Sequence, residues 1–348
     1  MQNPRRLNLA VTSACNCRCQ MCSIWEQKAA GSLSLDQYRE LFRSRSLSKV
    51  SQLSLTGGEP TLRADLQELV GLAVAAFPRL VQLSLNSNGF SPALLEQQVV
   101  KILAVQGKKS QLSVGLSFDG IGEVHDRIRG VPDAFSRLSE SITRLEALRK
   151  TGLNFGLSLR CTITKDNVHQ LREIDSYCCQ RGWPIIFAVA SDPDAFINAE
   201  QKRDLFALDQ AQLAACQDFF LEKAPDHPYY ARAADFLAQR RRTFGCIGAE
   251  GYAVLVLPNG DVMPCGERAQ LLLGNLNEQA FDEIWSGEQA RKVFASMRQE
   301  ACAVCPSQCY PAEQSWRDDF RPFVKSLLPA PLVQSLRQLK RTVRTGKK

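Results

Sequence analysis

The chain has 348 residues, a formal net charge of +7 and 45% hydrophobic residues, so it can build one large core with an appendage or two unequal domains. This composition is typical of a globular protein and excludes a collagen-like, coiled-coil or wholly disordered chain. No run of about 18 apolar residues is present, so the sequence predicts no membrane-spanning helix. The amino terminus lacks the apolar stretch of a signal peptide, and we expect a cytoplasmic protein.

Short β-type runs alternate with helix-length segments through the first half of the chain. The runs lie at 7–11, 52–55, 81–85, 112–118, 155–162 and 185–189. Ser34 and Gln37 form a capping box that opens the first helix, another helix is predicted over 134–149, and Asn167 is the expected N-cap of a third. Strands that alternate with helices pair in parallel through right-handed crossovers. The pattern therefore predicts an α/β fold, with six strands in an open or barrel-like sheet.

The loop that follows each of the first four predicted strands carries polar or glycine residues. A cysteine-rich loop follows the first strand, TGGEP at 56–60 the second, NSNG at 86–89 the third, and SFDG at 117–120 the fourth. In parallel α/β folds the ligand site forms at the carboxyl ends of the strands. The sequence therefore predicts a binding site where these loops meet.

The first of these loops points to metal chemistry. Thirteen cysteines in a cytoplasmic chain indicate metal or catalytic roles rather than a disulfide framework. Cys15, Cys19 and Cys22 lie within one loop, and thiolates this close select an iron-sulfur cluster or zinc. A tetrahedral zinc site needs a fourth ligand, which Cys17 would supply only from an awkward position between its neighbours.

Cys15-x3-Cys19-x2-Cys22 followed by the Gly57-Gly58-Glu59-Pro60 loop resembles the radical S-adenosylmethionine (SAM) superfamily. The resemblance implies a partial (βα)6 barrel and a [4Fe-4S] cluster held by the three cysteines. SAM would bind the fourth iron through its amino and carboxylate groups. Met21 stands where the family usually has an aromatic residue, and its polarizable thioether can fill a similar space.

The same resemblance assigns SAM contacts to the loops after the second, third and fourth strands. The glycine-rich loop would bind the methionyl amino group largely through its backbone, which glycine lets approach closely. The loops NSNG and SFDG match family segments that contact SAM, and the arginine of HDRIRG is a candidate partner of the SAM carboxylate. The expected SAM-binding residues are Gly57, Gly58, Glu59, Asn88, Ser117, Asp119 and Arg129.

A second cysteine group lies near the C-terminus. The segment 251–265 predicts a hairpin that turns at 258–261, bracketed by Cys246 and Cys265 and followed by Cys302, Cys305 and Cys309. With the GNL segment at 274–276, this pattern resembles the SPASM and twitch extensions of radical SAM enzymes. Five cysteines are too few for the two clusters of a full SPASM domain, so the resemblance implies one auxiliary [4Fe-4S] cluster. We favour the first four as ligands, with Cys309 as an alternative ligand and a zinc-ribbon-like site as the alternative structure.

The remaining cysteines and histidines lack ligand spacing. Cys161, Cys178, Cys179 and Cys216 are predicted to be core residues, as are Trp183 and Phe187. His125 and His169 receive no catalytic role. Three carboxylates are conceivable acid or base groups, and the sequence alone does not choose among Glu59, Asp119 and Glu250.

These patterns divide the chain into four segments. A radical SAM core is expected at 1–190, a helical connector at 191–245, an auxiliary-cluster domain at 246–312 and a basic tail at 313–348. No Asp or Glu follows Asp319, so basic residues near the C-terminus account for most of the net charge. The apolar and basic residues of the tail recur at helical spacing, which suits either peripheral contact with an anionic membrane surface or a solvated, frayed terminus.

The resemblance implies that the reduced cluster cleaves SAM to methionine and a 5′-deoxyadenosyl radical, which takes hydrogen from a substrate carbon. An auxiliary cluster would accept an electron or bind the substrate, and a flavodoxin- or ferredoxin-type protein would donate electrons. Because Cys15 leaves no room for an amino-terminal leader-binding domain, we expect a small molecule or carbohydrate as substrate; a ribosomal peptide or protein side chain is the alternative. A zinc-stabilised binding module and an RNA modifier are rival functions, although the nearly neutral body argues against nucleic-acid binding.

Overall fold

A computed structural model describes residues 2–22, 24–26, 31–189, 208–239, 241–242, 245–266 and 271–298. Within these ranges the chain forms one nine-stranded sheet with helices packed against it. None of the described helices is long and apolar enough to cross a membrane. Cys302, Cys305, Cys309 and the basic tail lie outside the described residues.

Strands and helices alternate through the first half of the chain, as the sequence predicts. The strands are β1 (Arg6–Ala10), β2 (Gln52–Thr56), β3 (Gln82–Ser87), β4 (Gln111–Ser117), β5 (Gly156–Ile163), β6 (Ile185–Val189), β7 (Ala253–Val256), β8 (Asp261–Met263) and β9 (Gly274–Asn275). The described helices are α1 (Leu35–Phe42), α2 (Leu66–Ala76), α3 (Pro92–Val105), α4 (Glu123–Arg129), α5 (Ala134–Lys150), α6 (Leu171–Gln180), α7 (Gln210–Lys223), α8 (Pro228–Gln239), α9 (Phe281–Ser286) and α10 (Glu288–Ser296).

The sheet has the order β6-β5-β4-β3-β2-β1-β7-β8-β9. Neighbouring strands from β6 through β1 to β7 are parallel, whereas β8 and β9 are added antiparallel. Because β6 and β9 lie at opposite edges, the sheet is an open, partial barrel. The predicted α/β fold is therefore confirmed, and the predicted hairpin is the pair β7 and β8.

The two faces of the sheet differ in polarity because side chains alternate along each strand. Leu7, Leu53, Leu83 and Leu112 lie in register on adjacent strands and are at most 1% exposed, packed in one core with the helices. Removing this apolar surface from water stabilises the fold. The alternate residues of β2 and β3 are half-buried and polar, so the opposite face of the sheet remains accessible.

Of the two predicted helix caps, one forms with its side-chain hydrogen bonds and the other is confirmed in position only. The side chain of Ser34 accepts the backbone N–H of Gln37, and the Gln37 side chain accepts the N–H of Ser34, so the predicted capping box opens α1. Asn167 takes the expected N-cap position, directly before a 3-10 helix at 168–170 that leads into α6, but its side chain makes no capping hydrogen bond. Its amide accepts the N–H of Thr164 and donates to the carbonyl oxygen of Asp119, because it is wholly buried beside the loop after β4.

Most residues predicted to pack in the core do so. Burial raises the pKa of the Cys178 and Cys216 thiols to about 12, so these cysteines are protonated, unreactive core groups. Cys179 is only half-buried, near the end of α6. The other predicted core residues are buried or partly buried against the core: Cys161, Phe187 and Trp183.

The C-terminal hairpin continues the sheet of the core. Strand β7 pairs in parallel with β1, with Leu7 opposite Val254 and Leu9 opposite Val256. All four residues of β7 are buried. The indole N–H of Trp285 in α9 also donates to the backbone oxygen of Gln2 at 3.2 Å. Strand β1 is therefore an interior strand, flanked by residues that lie far away in sequence.

A second junction joins α9 to the core through one carboxylate. Asp282 accepts the backbone N–H groups of Arg45 at 3.0 Å and Ser46 at 2.8 Å, at the start of a short 3-10 helix. Burial alone would raise the pKa of Asp282, but the hydrogen bonds from Ser46 and Arg45 outweigh burial and lower it. The carboxylate is therefore held in its charged form at neutral pH.

We expect Asp282→Ala to lower the free energy of unfolding by about 1 kcal/mol at neutral pH, as the loss of a cap does. Because the folded-state pKa lies below the ordinary value, this stabilisation is present above about pH 4 and declines as the pH falls below it. Urea unfolding of both proteins checks the prediction. Glu283→Ala, at the exposed neighbour, is the control and should change little. An equal loss in both variants would contradict the capping role.

Candidate active site

The loops after β1, β2, β3 and β4 meet at the carboxyl edge of the sheet, as the sequence predicts. In the first loop Cys15 and Cys22 are half-buried and Cys19 is buried. Burial raises the pKa of the Cys22 thiol to about 11, and the charges of Cys19 and Cys15 add to this effect. The three sulfur atoms are therefore close enough to interact electrostatically.

The donor set of this loop fits an iron-sulfur cluster. The described residues contain no group of three or more His, Cys, Asp or Glu side chains placed to hold a metal ion. A [4Fe-4S] cluster has its own irons and sulfides between the thiolates, so its ligands need not converge on one ion. Three thiols from Cys15, Cys19 and Cys22 supply three of its four ligands and leave one iron open.

Cys17 interacts with Cys19 rather than lying apart from the site. A hydrogen bond from the Cys17 thiol, opposed by burial and aided by the positive charge of Arg129, lowers the pKa of Cys19 to about 6. The Nη1 atom of Arg129 lies 3.5 Å from the sulfur of Cys19. Cys19 is therefore the thiolate of this pair, while Cys17 keeps its proton.

The glycine-rich loop lies against the backbone of the cysteine loop. The N–H of Gly58 donates to the carbonyl of Thr12 at 2.7 Å, and that of Glu59 donates to Ala14 at 2.8 Å. A Cβ atom at Gly58 would lie 2.2 Å from the Ala14 oxygen, and one at Gly57 would lie 2.4 Å from the Thr12 oxygen. Gly57 also has a φ of +128°. Only glycine permits this approach.

Glu59 is a buried junction between the second and third loops. It is 1% exposed, and its carboxylate accepts the hydroxyl of Thr61 at 2.6 Å and the backbone N–H of Asn88 at 2.7 Å. The side-chain amide of Asn88 donates to Asn16 at 2.7 Å and lies 3.8 Å from the sulfur of Cys15. Glu59 therefore supports Asn88, which in turn contacts the cysteine loop.

Asp119 and Arg129 form a buried ion pair beside Cys19. Asp119 is wholly buried and also accepts the N–H of Thr162 at 2.8 Å, and its own N–H donates to Nδ1 of His125 at 3.1 Å. Burial, aided by the charge of Arg129, lowers the pKa of His125 well below its usual range, so the imidazole is neutral. The carboxylate of Asp119 thus orients the guanidinium of Arg129 toward the sulfur of Cys19.

The C-terminal end of α4 holds the cysteine loop through its backbone. The N–H of Arg18 donates to the carbonyl of Arg129 at 2.9 Å, and the N–H of Gln20 donates to Ile128 at 3.0 Å. Gly130 has a φ of +65°, and a Cβ atom there would lie 2.1 Å from the Arg18 oxygen. The segment between Cys15 and Cys22 is therefore fixed on two sides, by the glycine-rich loop and by α4.

Two further residues near the site are Ser117, which the sequence predicts as a SAM contact, and His125, to which it assigns no role. Ser117 is half-buried at the end of β4, directly opposite Arg160 of β5. The contacts of Ser117, Asn88, Asp119 and Arg129 with SAM stay predictions. Sequence reasoning gave His125 no role, although its position six residues after Asp119 lets its ring accept a hydrogen bond from that loop.

Two of the five C-terminal cysteines are described. The sulfur of Cys246 and the Cβ atom of Cys265 both lie 3.6 Å from the position that a Cβ atom on Gly248 would take. Cys246 precedes β7 and Cys265 follows β8, and both therefore lie close to Gly248. The other three expected ligands, Cys302, Cys305 and Cys309, lie outside the described residues.

Comparisons of the sequence find two families. Residues 9–178 match the Radical SAM superfamily, and residues 246–310 match the SPASM iron-sulfur cluster-binding domain. Together the two matches cover more than half of the chain.

The chain is also similar to enzymes of known activity. It is 27% identical to the AdoMet-dependent heme synthase of Methanosarcina barkeri, over 91% of this chain and 95% of that protein. It is 25% identical to the pre-heme d1 synthase of Dinoroseobacter shibae, over 86% of this chain and 78% of the relative. It is 26% identical to the mycofactocin maturase MftC of Mycobacterium tuberculosis, over 88% of this chain and 75% of the relative.

Among solved structures, anSMEcpe with bound AdoMet and a peptide matches with a TM-score of 0.60 and 16% identity, over 92% of this chain and 98% of that chain. At this identity the match shows the fold alone, which is that of an open α/β barrel with a small C-terminal domain. The chain is thus an enzyme of the radical SAM superfamily that uses SAM, a SAM-binding [4Fe-4S] cluster and an auxiliary iron-sulfur cluster in a C-terminal SPASM domain.

Proposed function

We propose that Cys15, Cys19 and Cys22 hold the SAM-binding cluster and that the enzyme modifies a tetrapyrrole substrate by hydrogen abstraction. The observation that carries the first part is the grouping of three thiols on one loop that two neighbouring segments fix in place. Bound there, the cluster supplies the electron that cleaves SAM and so generates the radical that takes hydrogen from a substrate carbon.

The residues around the loop prepare it for this cofactor. The guanidinium of Arg129 stabilises the thiolate of Cys19, and the amide of Asn88 lies beside Cys15. Gly57 and Gly58 let this loop pack directly against the backbone of the cysteine loop. As the family resemblance implies, we propose that backbone carbonyl groups of the glycine-rich loop accept the amino group of SAM. We propose Ser117 as a further contact of SAM.

We propose that the auxiliary site lies at the amino ends of the parallel strands, opposite the cysteine loop. Cys246 precedes β7 and Cys265 follows β8, so both lie at the amino end of β7, whereas Cys15 follows the carboxyl end of β1. Because β1 and β7 are parallel and β1 has five residues, about 16 Å of strand separates the two edges. We propose that Cys246 and Cys265, with Cys302, Cys305 or Cys309, would hold the auxiliary cluster. The cluster would supply an electron acceptor or a binding group for a substrate on the open face of the sheet.

The tetrapyrrole assignment is supported by the relatives that this chain matches over most of its length, which include heme and pre-heme d1 synthases. This assignment narrows the substrate class from the small molecule expected from the sequence to a tetrapyrrole. The similarity to a mycofactocin maturase supports a peptide substrate as the second candidate. We also propose the four segment boundaries that the sequence predicts and a flavodoxin- or ferredoxin-type electron donor. Contact of the basic tail at 313–348 with a membrane surface is a further proposal.

The ligand assignment predicts about eight irons per chain after anaerobic reconstitution, because each [4Fe-4S] cluster contributes four. Replacing Cys15, Cys19 and Cys22 together by alanine should leave about four irons and abolish the EPR signal that SAM perturbs. Cys17→Ala and Cys179→Ala are the controls and should retain both clusters. Retention of the SAM-sensitive signal in the triple variant would refute the assignment, and bound zinc in place of iron would support a zinc-stabilised module.

Gly58→Ala tests whether close backbone contact fixes the cluster loop. A methyl group at this position would overlap the carbonyl of Ala14, so the loop must move. We expect the loss of most of the SAM-binding cluster, measured as iron content and EPR signal, while the auxiliary cluster remains. Gly71→Ala, in α2 with open space around it, is the matched control and should retain both clusters. Full iron content in Gly58→Ala would show that the loop tolerates displacement.

The substrate class is tested by anaerobic incubation of the reconstituted enzyme with SAM, dithionite and a panel of iron porphyrins that bear propionate groups. Mass spectrometry should detect a new tetrapyrrole product together with 5′-deoxyadenosine. The triple cysteine variant should form neither. Modification of a precursor peptide, with the porphyrins left unchanged, would instead establish the second candidate.

A further inference from the structure

Arg129 lies against the cysteine loop through both its side chain and its backbone. It is 8% exposed, at the C-terminal end of α4, and its Nη1 atom lies 3.5 Å from the sulfur of Cys19. Its backbone oxygen accepts the N–H of Arg18, inside the same loop, at 2.9 Å. The guanidinium is therefore held beside one proposed cluster ligand by contacts at two points.

The charge of Arg129 acts on the other two proposed ligands as well. Burial raises the pKa of the Cys15 thiol and of the Cys22 thiol, and in each case the positive charge of Arg129 opposes the rise. Opposite charges have such an effect when they lie close together. The guanidinium therefore lies within electrostatic reach of the sulfur atoms of Cys15, Cys19 and Cys22, which would surround one cluster.

The ion pair of Asp119 and Arg129 has its positive end toward this loop. The carboxylate contacts Nη2 of the guanidinium, whereas Nη1 contacts the sulfur of Cys19. The hydrogen bond from Cys17 is the largest cause of the lowered pKa of Cys19, and the charge of Arg129 contributes more than the opposing charge of Asp119. The net electrostatic effect of the pair on this sulfur is therefore that of a positive charge.

The negative end of the pair is fixed by neighbouring elements. Asp119 is wholly buried, its Oδ1 atom accepts the backbone N–H of Thr162 at 2.8 Å, and its backbone oxygen accepts the side-chain amide of Asn167 at 2.8 Å. A buried pair held in this way has little freedom to reorient when the charge beside it changes. Because the surroundings have a low dielectric constant, its effect on a neighbouring group is only weakly screened.

A fixed positive charge beside an iron-sulfur cluster changes the ease of its reduction. One-electron reduction makes the cluster more negative by one charge. The reduction potential depends on the net charge, on hydrogen bonds to the sulfur atoms and on burial. A guanidinium that donates to a ligand sulfur stabilises the more negative, reduced state and therefore raises the potential.

We infer that Arg129, oriented by Asp119, raises the reduction potential of the SAM-binding cluster on the cysteine loop and so eases electron uptake from the donor protein. The inference rests on the proposed function, because it takes the three cysteines of this loop as the cluster ligands. The family resemblance suggests the SAM carboxylate as the partner of Arg129. Its Nε atom makes no hydrogen bond with the residues that the structure describes, so the test also measures SAM binding.

The test is a redox titration of the reconstituted enzyme without SAM, with dithionite as the reductant, monitored by the EPR signal that SAM perturbs. Arg129→Gln should lower the midpoint potential by at least about 59 mV, which is a tenfold change in the equilibrium constant for uptake of one electron. Arg127→Gln removes an exposed arginine from the same helix and is the matched control, which should change nothing. The auxiliary-cluster signal, which persists in the triple cysteine variant, should keep its midpoint in both variants.

Two further variants separate the charge of Arg129 from its shape. Arg129→Lys keeps the charge and should lower the midpoint less than Arg129→Gln does. Because Arg129→Gln leaves the carboxylate of Asp119 buried without a cation, this variant is the one that could fail to fold or to take up the cluster. The paired variant Asp119→Asn/Arg129→Gln replaces the ion pair by two neutral amides, and its midpoint should also lie below that of the wild type.

The inference is overturned if the midpoint in Arg129→Gln and in the paired variant equals that of the wild type. An unchanged midpoint with a raised Kd for SAM, measured by the effect of SAM on the EPR signal, would assign the guanidinium to the SAM carboxylate instead. Failure of the proposed function gives a different result. In that case the triple cysteine variant keeps the SAM-sensitive signal, whatever the midpoint of the Arg129 variants.

Discussion

The contact between two backbones, at Gly57-Gly58 and Thr12–Ala14, determines how the active site is built. Hydrogen bonds of 2.7 and 2.8 Å join the loops after β1 and β2 at a separation that no side chain at position 58 would permit. From this contact the cysteine loop extends across the end of the sheet to the backbone of α4. The cysteine loop has little regular structure of its own. The positions of the three proposed cluster ligands therefore depend on its backbone hydrogen bonds to the glycine-rich loop on one side and to α4 on the other.

A buried ion pair inside this framework serves the site more than it serves the stability of the fold. Two desolvated charges rarely stabilise a protein more than well-packed apolar residues would. Asp119 and Arg129 nevertheless lie buried together, next to Cys19, with His125 and Thr162 completing the contacts of the carboxylate loop. This arrangement keeps a positive charge beside a thiolate in a region of low dielectric constant, where its effect on the sulfur is strongest.

The sequence predicts the strands and the cysteine loop well because both are local patterns. Alternating leucines mark β1 to β4, and the spacing of Cys15, Cys19 and Cys22 is contained in eight residues. The partners of buried polar groups are harder to predict, since they depend on which strands become neighbours. The side chain of Asn167, expected to cap a helix, instead bonds to the loop after β4. The side chains of Arg160 and Asn86, from two different strands, both approach Gly115 closely because that residue has no side chain.

The interior position of β1 has a consequence for how the enzyme matures. Residues 6–10 leave the ribosome long before their second neighbouring strand, residues 253–256, because most of the described sheet lies between them in the sequence. Until then, one edge of β1 has unpaired backbone groups, directly before the cysteine loop. Such long-range pairing forms late and slowly. The cluster-binding loop is therefore anchored on a complete sheet only once residues 253–256 have been made and paired, which favours insertion of the iron-sulfur cluster after that strand has joined the sheet.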